Sequence, residues 1–139
     1  FHTPKSLRVA RAFSVPPMNL LAGRSSAGGV QLAGGVLLPL SLPGGLEGSV
    51  TVGLRASALA LRGGDGHVSL PARVELAEIS GSDTYVHLHC AAGDLVAQLT
   101  GVHRFELGES VQLSFGLESV YVFDGAGQLV LAPQRRRGN

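Results

Sequence analysis

From Ser49 onward the sequence alternates apolar and polar residues in short runs, and a period of two rules out most of the ways a chain can fold. Val50, Val52 and Leu54 fall on one side while Thr51, Gly53 and Arg55 fall on the other, as in a strand buried on one face. Ala72, Val74 and Leu76 repeat the pattern with Arg73 and Glu75 outward. Glu78 and Ile79 then exchange faces, which predicts a bulge or corner near Ala77. Val86, Leu88 and Cys90 point inward next, followed by Leu95, Ala97 and Leu99, then by Val111, Leu113 and Phe115. Val120 to Phe123 and Gln128 to Leu131 flank Asp124-Gly125-Ala126-Gly127, which has the turn chemistry of a closing hairpin.

The segments between these runs are turns. Gly28-Gly29, Gly34-Gly35, Gly44-Gly45 and Gly63-Gly64 punctuate the chain, and paired glycines supply the positive φ that hairpins demand. They are not phosphate loops, because such a loop ends in Lys-Ser or Lys-Thr at a helix and the single lysine here is Lys5. Short strands at this spacing predict an all-β fold: one or more small OB-fold-like barrels of antiparallel strands, closed or partly closed, with a second, smaller sheet from residues 18 to 55.

Val15-Pro16-Pro17 must be extended, since proline fixes its own φ and pushes the preceding residue out of the helical region. The expected organisation is an arm or connector over 1–17, opening with a short helix entered through Thr3, a β domain over 18–132, and a disordered basic tail over 133–139. The tail holds Arg135, Arg136 and Arg137; setting these aside leaves eight basic against ten acidic residues, so the folded part is not basic. No apolar run reaches the roughly 18 residues a membrane helix needs, which predicts a soluble chain. Cys90 is the single cysteine, so no internal disulfide can form. The chain begins at Phe1 without a leader-like segment, which is expected of a piece of a longer protein.

Constellations that could carry chemistry are few. His87 and His89 share a strand face with Tyr85, a spacing compatible with two metal ligands, but no third ligand stands at recognisable spacing. Ser82, Asp83 and His103 can be composed into a triad, yet no Gly-x-Ser-x-Gly elbow presents the serine. Glu75 and Glu78 fall on different faces of a regular strand. There is no tryptophan, Phe115 and Phe123 fit core positions, and Arg55, Arg62, Arg73 and Arg104 are scattered among acidic neighbours, which predicts no nucleic-acid partner.

Pro16-Pro17-Met18-Asn19-Leu20-Leu21, preceded by Arg-Val-Ala-Arg-Ala-Phe and followed by a Gly-rich hairpin, resembles the junction after the nucleotide-binding domain in ATP-binding subunits of ABC sugar importers, the maltose and glycerol-3-phosphate group. In the same order, Val50 to Leu59 is similar to that family's Leu-Gly-Ile-Arg-Pro-Glu segment, Val74 to Leu88 to its strand, Gly-Ser corner and strand, and Val120 to Val130 to its Leu-Phe-Asp hairpin. The resemblance covers nearly the whole chain and implies the carboxy-terminal regulatory region, or TOBE domain.

By that resemblance the region is non-catalytic, packs against its copy in a second subunit, and can receive a signal from a regulatory protein or small ligand. It would hold no cofactor itself, with ATP and Mg bound in the absent amino-terminal domain, and the parent would work with membrane-spanning importer subunits at the inner face of the plasma membrane. The motif positions carried over as structural or regulatory are Pro16, Pro17, Met18, Asn19, Gly53, Arg55, Gly81, Ser82, Phe123 and Asp124, with no catalytic or metal residue among them. Ala56-Ser57 replaces the usual Pro-Glu, so an acidic side chain that a partner could recognise is missing. Two alternatives stand beside this: a small-oxyanion, molybdate-like binding module using Ser25-Ser26 or Ser80 to Ser82, and an OB-fold nucleic-acid binder.

Overall fold

The alternating runs are strands, and they sort into two sheets around one core. The computed structural model describes residues 17–61 and 68–133. The arm up to Pro16, Arg62, the Gly63-Gly64 pair and the arginine tail lie outside the described residues. Among the described residues ten strands follow in chain order: β1 (Asn19–Ser26), β2 (Gly29–Leu32), β3 (Leu37–Leu38), β4 (Gly48–Leu54), β5 (Val68–Ser80), β6 (Asp83–Cys90), β7 (Gly93–Thr100), β8 (Ser110–Phe115), β9 (Tyr121–Phe123) and β10 (Leu129–Leu131). They form a six-stranded sheet in the order β10-β9-β4-β1-β2-β3 and a four-stranded sheet in the order β7-β6-β5-β8, with every pairing antiparallel. The class is all-β and OB-fold-like, as the alternation predicts.

The predicted facing holds where one side of a strand meets the core. Val50, Val52 and Leu54 of β4, Val86, Leu88 and Cys90 of β6, and Val111, Leu113 and Phe115 of β8 are buried together with Leu21 of β1, Val30 of β2 and Leu38 of β3. Each large side chain buried this way contributes about 1.5–3 kcal/mol of hydrophobic free energy. Because the two sheets share this core, residues on both must fold together.

Two expectations are corrected. The sheet built from residues 18 to 55 is the larger one, because the hairpin β9–β10 crosses over and extends it at β4. Tyr121, Val122 and Phe123 are all buried, so β9 needs apolar neighbours on both faces, and an interior place in this sheet supplies them. The bulge in β5 lies earlier than Ala77, between Val74 and Leu76, where the register with β6 slips at Glu75. Leu76 is therefore turned out, 46% exposed, instead of continuing the inward row of Ala72 and Val74.

Gly34 fixes one join between the sheets. It sits at φ +77 in the tight turn after β2, and a side chain there would run into Ala91 in the β6–β7 turn. Positive φ and close approach both require glycine.

Candidate functional site

The outer face of the six-stranded sheet carries a second, smaller apolar cluster, and the motif residues converge on it. Met18, Tyr121 and Phe123 form its buried centre, with Leu20 and Leu129 packed alongside. The geometry follows from register: Gly53 lies opposite Leu20 on one side and Tyr121 on the other, and Thr51 lies opposite Phe123. Tyr121 and Phe123, two apart on β9, point the same way with ring centroids 6.4 Å apart and planes 5° from parallel.

Gly53 leaves the floor of this cluster open. A β-carbon built there would stand 2.5 Å from Met18 Sδ and 3.3 Å from both the Phe123 ring and Tyr121 Cβ. The thioether of Met18 occupies the space that any other residue at 53 would claim. Arg55, just past the end of β4, turns back so that its Nε donates to Tyr121 Oη at 3.0 Å. Its guanidinium carbon is 5.4 Å from the ring centroid. The guanidinium thus lies over the Tyr121 ring while bonding its hydroxyl, so a cation–π attraction accompanies the hydrogen bond.

Asn19 faces the opposite way from Met18, toward the shared core. Its Nδ2 donates to Val96 O at 2.9 Å and its Oδ1 accepts from Val96 N at 2.8 Å. The side-chain amide thus serves β7, an edge strand of the other sheet, as a one-residue neighbour. Asp124 closes the last hairpin, its Oδ1 accepting from Ala126 N and Gln128 N at 2.9 Å each. Gly81 and Ser82 form the exposed β5–β6 turn, where Ser82 O accepts from Gly101 N. Pro17 is exposed at the start of the described chain. Ala56 and Ser57, where the resemblance expects Pro-Glu, begin a tight 3-10 turn with Ala56 buried and Ser57 exposed.

Met18, Gly53, Arg55 and Phe123 are brought together, then, while Asn19, Gly81, Ser82 and Asp124 act elsewhere. Tyr121 belongs to the group and the sequence reading passed over it. Its spacing of two from Phe123 was the available signal, but a single strand does not reveal that an arginine from another strand will seek its hydroxyl.

The other candidate constellations are dispersed. His87 Nε2 lies 3.1 Å from Glu78 Oε1 and His89 Nδ1 lies 2.7 Å from Asp94 Oδ1, so each exposed imidazole is taken up by its own carboxylate. Among the described residues no three His, Cys, Asp or Glu side chains are grouped to hold a metal. Asp83 accepts from Gln98 Nε2 at 2.9 Å, and His103 Nε2 lies 2.8 Å from Thr100 O, a carbonyl that can only accept. His103 Nε2 is therefore the donor there, and among the described residues no hydrogen bond joins His103 to Ser82. Ser25 Oγ donates to Leu46 O, and the serines at 80–82 lie in a hairpin of the other sheet. A cleft of about 310 Å³ opens beside Ser57, with Leu59, Leu61, Gln98, His103 and Phe105 among its walls.

Two antiparallel sheets on one core, tied by an Asn amide and floored by a Met-Gly contact, define a small OB-fold-like β module without an assembled acid–base or metal centre among the described residues. The chain belongs to the TOBE domain family, whose model matches residues 52–123. It is 35% identical to the sn-glycerol-3-phosphate import ATP-binding protein UgpC of Chromohalobacter salexigens over 133 residues, covering 91% of this chain and 35% of that protein. It is 32% identical to UgpC of Escherichia coli strain K12 over 137 residues, covering 94% of this chain and 38% of that protein. The chain thus spans little more than a third of the length of these relatives. Its fold is also that of the molybdate-bound crystal structure of the cytoplasmic molybdate-binding protein ModG, with a TM-score of 0.62 at 17% identity over 75% of this chain and 94% of that one.

Proposed function

We propose that this chain is the non-catalytic regulatory and dimerisation domain of the ATP-binding subunit of an ABC importer for carbohydrate or sn-glycerol-3-phosphate. The observation that carries this reading is the likeness to two import ATP-binding proteins over more than nine-tenths of this chain but little over a third of theirs. The match is to one piece of a larger machine. A separate nucleotide-binding domain in the parent would bind ATP and Mg, since this chain supplies no Gly-rich loop ending in Lys-Ser or Lys-Thr.

In this reading the residues around Gly53 act mechanically. Met18 and Asn19 follow directly on Pro16-Pro17 in the sequence, one locked over Gly53 and the other bonded to Val96, so the start of β1 is held on both faces. A movement of the preceding domain would be transmitted into the sheet with little slack. The expected partners are a second copy of the subunit and, through the parent, membrane-spanning importer subunits at the inner face of the plasma membrane. The exposed Gly81-Ser82 turn offers motif positions to a regulatory partner.

The test is a chimera in which this chain replaces the matching segment of the Escherichia coli UgpC protein. Retained sn-glycerol-3-phosphate import supports the reading. ATP hydrolysis by the purified chain alone, abolished by changing one of its own residues, would overturn it.

A further inference from the structure

The second half of β5 is an open strand edge. Its ladder with β8 ends at Arg73 opposite Ser110, and the last bonds across that side are Gly108 N to Val74 O and Val74 N to Glu109 O. From Leu76 to Ser80 the strand is paired with β6 alone, and among the described residues no backbone hydrogen bond reaches its other side. The bulge at Glu75 is what separates the two halves, because it turns the strand away from β8 just where that partner stops.

The bulge and the exposed Glu75 and Glu78 blunt this edge in part, but no lysine or proline stands on it and its apolar side chains are open. Leu76 is 46% and Ile79 47% exposed, and Leu107, next to the last bonded residue Gly108, is 74% exposed. Register separates the two faces. Leu76 and Glu78 pair with His87 and Tyr85 on the outer side, while Ala77 and Ile79 pair with the buried Val86 and Thr84 on the core side. The fixed charge along this edge is acidic: Glu75 and Glu78 are exposed, and no lysine or arginine occurs between Glu75 and His89, the imidazole of His87 being the one cationic group beside Glu78.

We infer that Leu76–Ser80 is a docking edge for an extended segment of a partner protein that alternates basic and apolar residues. A strand added here turns its apolar side chains toward Ala77 and Ile79 and its basic ones toward Glu78, where they compete with His87 for the carboxylate, their aliphatic stems lying on Leu76. Isologous pairing of two copies fits less well, because it brings the acidic edges Glu75 and Glu78 of both chains together. The inference goes beyond the regulatory reading, since the edge is open whether or not the chain serves an importer.

The experiment measures binding of the 139-residue chain to labelled synthetic peptides by fluorescence anisotropy. A peptide of about six residues alternating arginine and valine should bind, and Glu78→Arg or Ile79→Lys should weaken it about tenfold or more while the circular dichroism spectrum and melting midpoint stay unchanged. Two control peptides alternate glutamate with valine and arginine with proline. No binding by the arginine–valine peptide, equal binding by either control, or retained affinity in folded variants would overturn the inference. So would a dimer of the chain in sedimentation equilibrium that Ile79→Lys dissociates, because the edge would then belong to a second copy.

Discussion

Asn19 and Val96, 77 positions apart, exchange two hydrogen bonds of 2.9 and 2.8 Å across the join between the sheets. The carboxamide has the same donor and acceptor as a peptide unit, so it satisfies both backbone groups of Val96 on the open side of β7. Asn19 is 8% exposed and Val96 half-buried, and losing the amide would leave both Val96 groups without their protein partner. This is the role of a polar residue two positions after Pro17.

Asn19→Ala is expected to lower stability by about 1–3 kcal/mol, the cost of two half-buried backbone groups losing their hydrogen bonds. Urea unfolding measures it. A loss under about 0.5 kcal/mol would mean that the bond to Val96 does not hold the sheets together.

Gly53→Ala is expected to cost about 1–3 kcal/mol by overpacking. Its β-carbon displaces Met18 Sδ, a flexible group, so the penalty should shrink when Met18→Ala is added. A double-mutant cycle reads the coupling, and strict additivity of the two changes would contradict the contact.

Thr84 is fully buried, its Oγ1 donating to Gly101 O and accepting from His103 N. It pins the segment that leaves β7 on its way to β8. Thr84→Val keeps the shape and removes both bonds, and should destabilise by about 1–3 kcal/mol. Amide exchange at His103 should quicken more than that at Val86; equal change at both would point to general loosening instead.

A melting series with molybdate, tungstate, phosphate and sulfate separates the importer reading from the oxyanion one. A ligand bound only by the folded chain raises the midpoint as its concentration grows. The expected result is a flat series. A rise with molybdate that Ser25→Ala or Ser82→Ala abolishes would favour the oxyanion module.

Much of this molecule is written in its local pattern. Period two marked the inward residues of β4, β6 and β8, paired glycines marked the turns after β1, β2 and β3, and Asp124-Gly125-Ala126-Gly127 marked the final hairpin. These are decided within a few residues, by backbone sterics and by which side of a strand meets water. The position of the bulge at Glu75 was less legible, because a slip of one residue depends on where β6 finds its register.

Partnership between distant strands is what only the tertiary structure decided. Nothing local told β9 to join β4, Arg55 to reach Tyr121, or Asn19 to face Val96. Alternation states that a side is buried but not against what, and the choice among apolar partners falls to the shape and hydrogen-bonding needs of surfaces that meet only when both sheets close on one core.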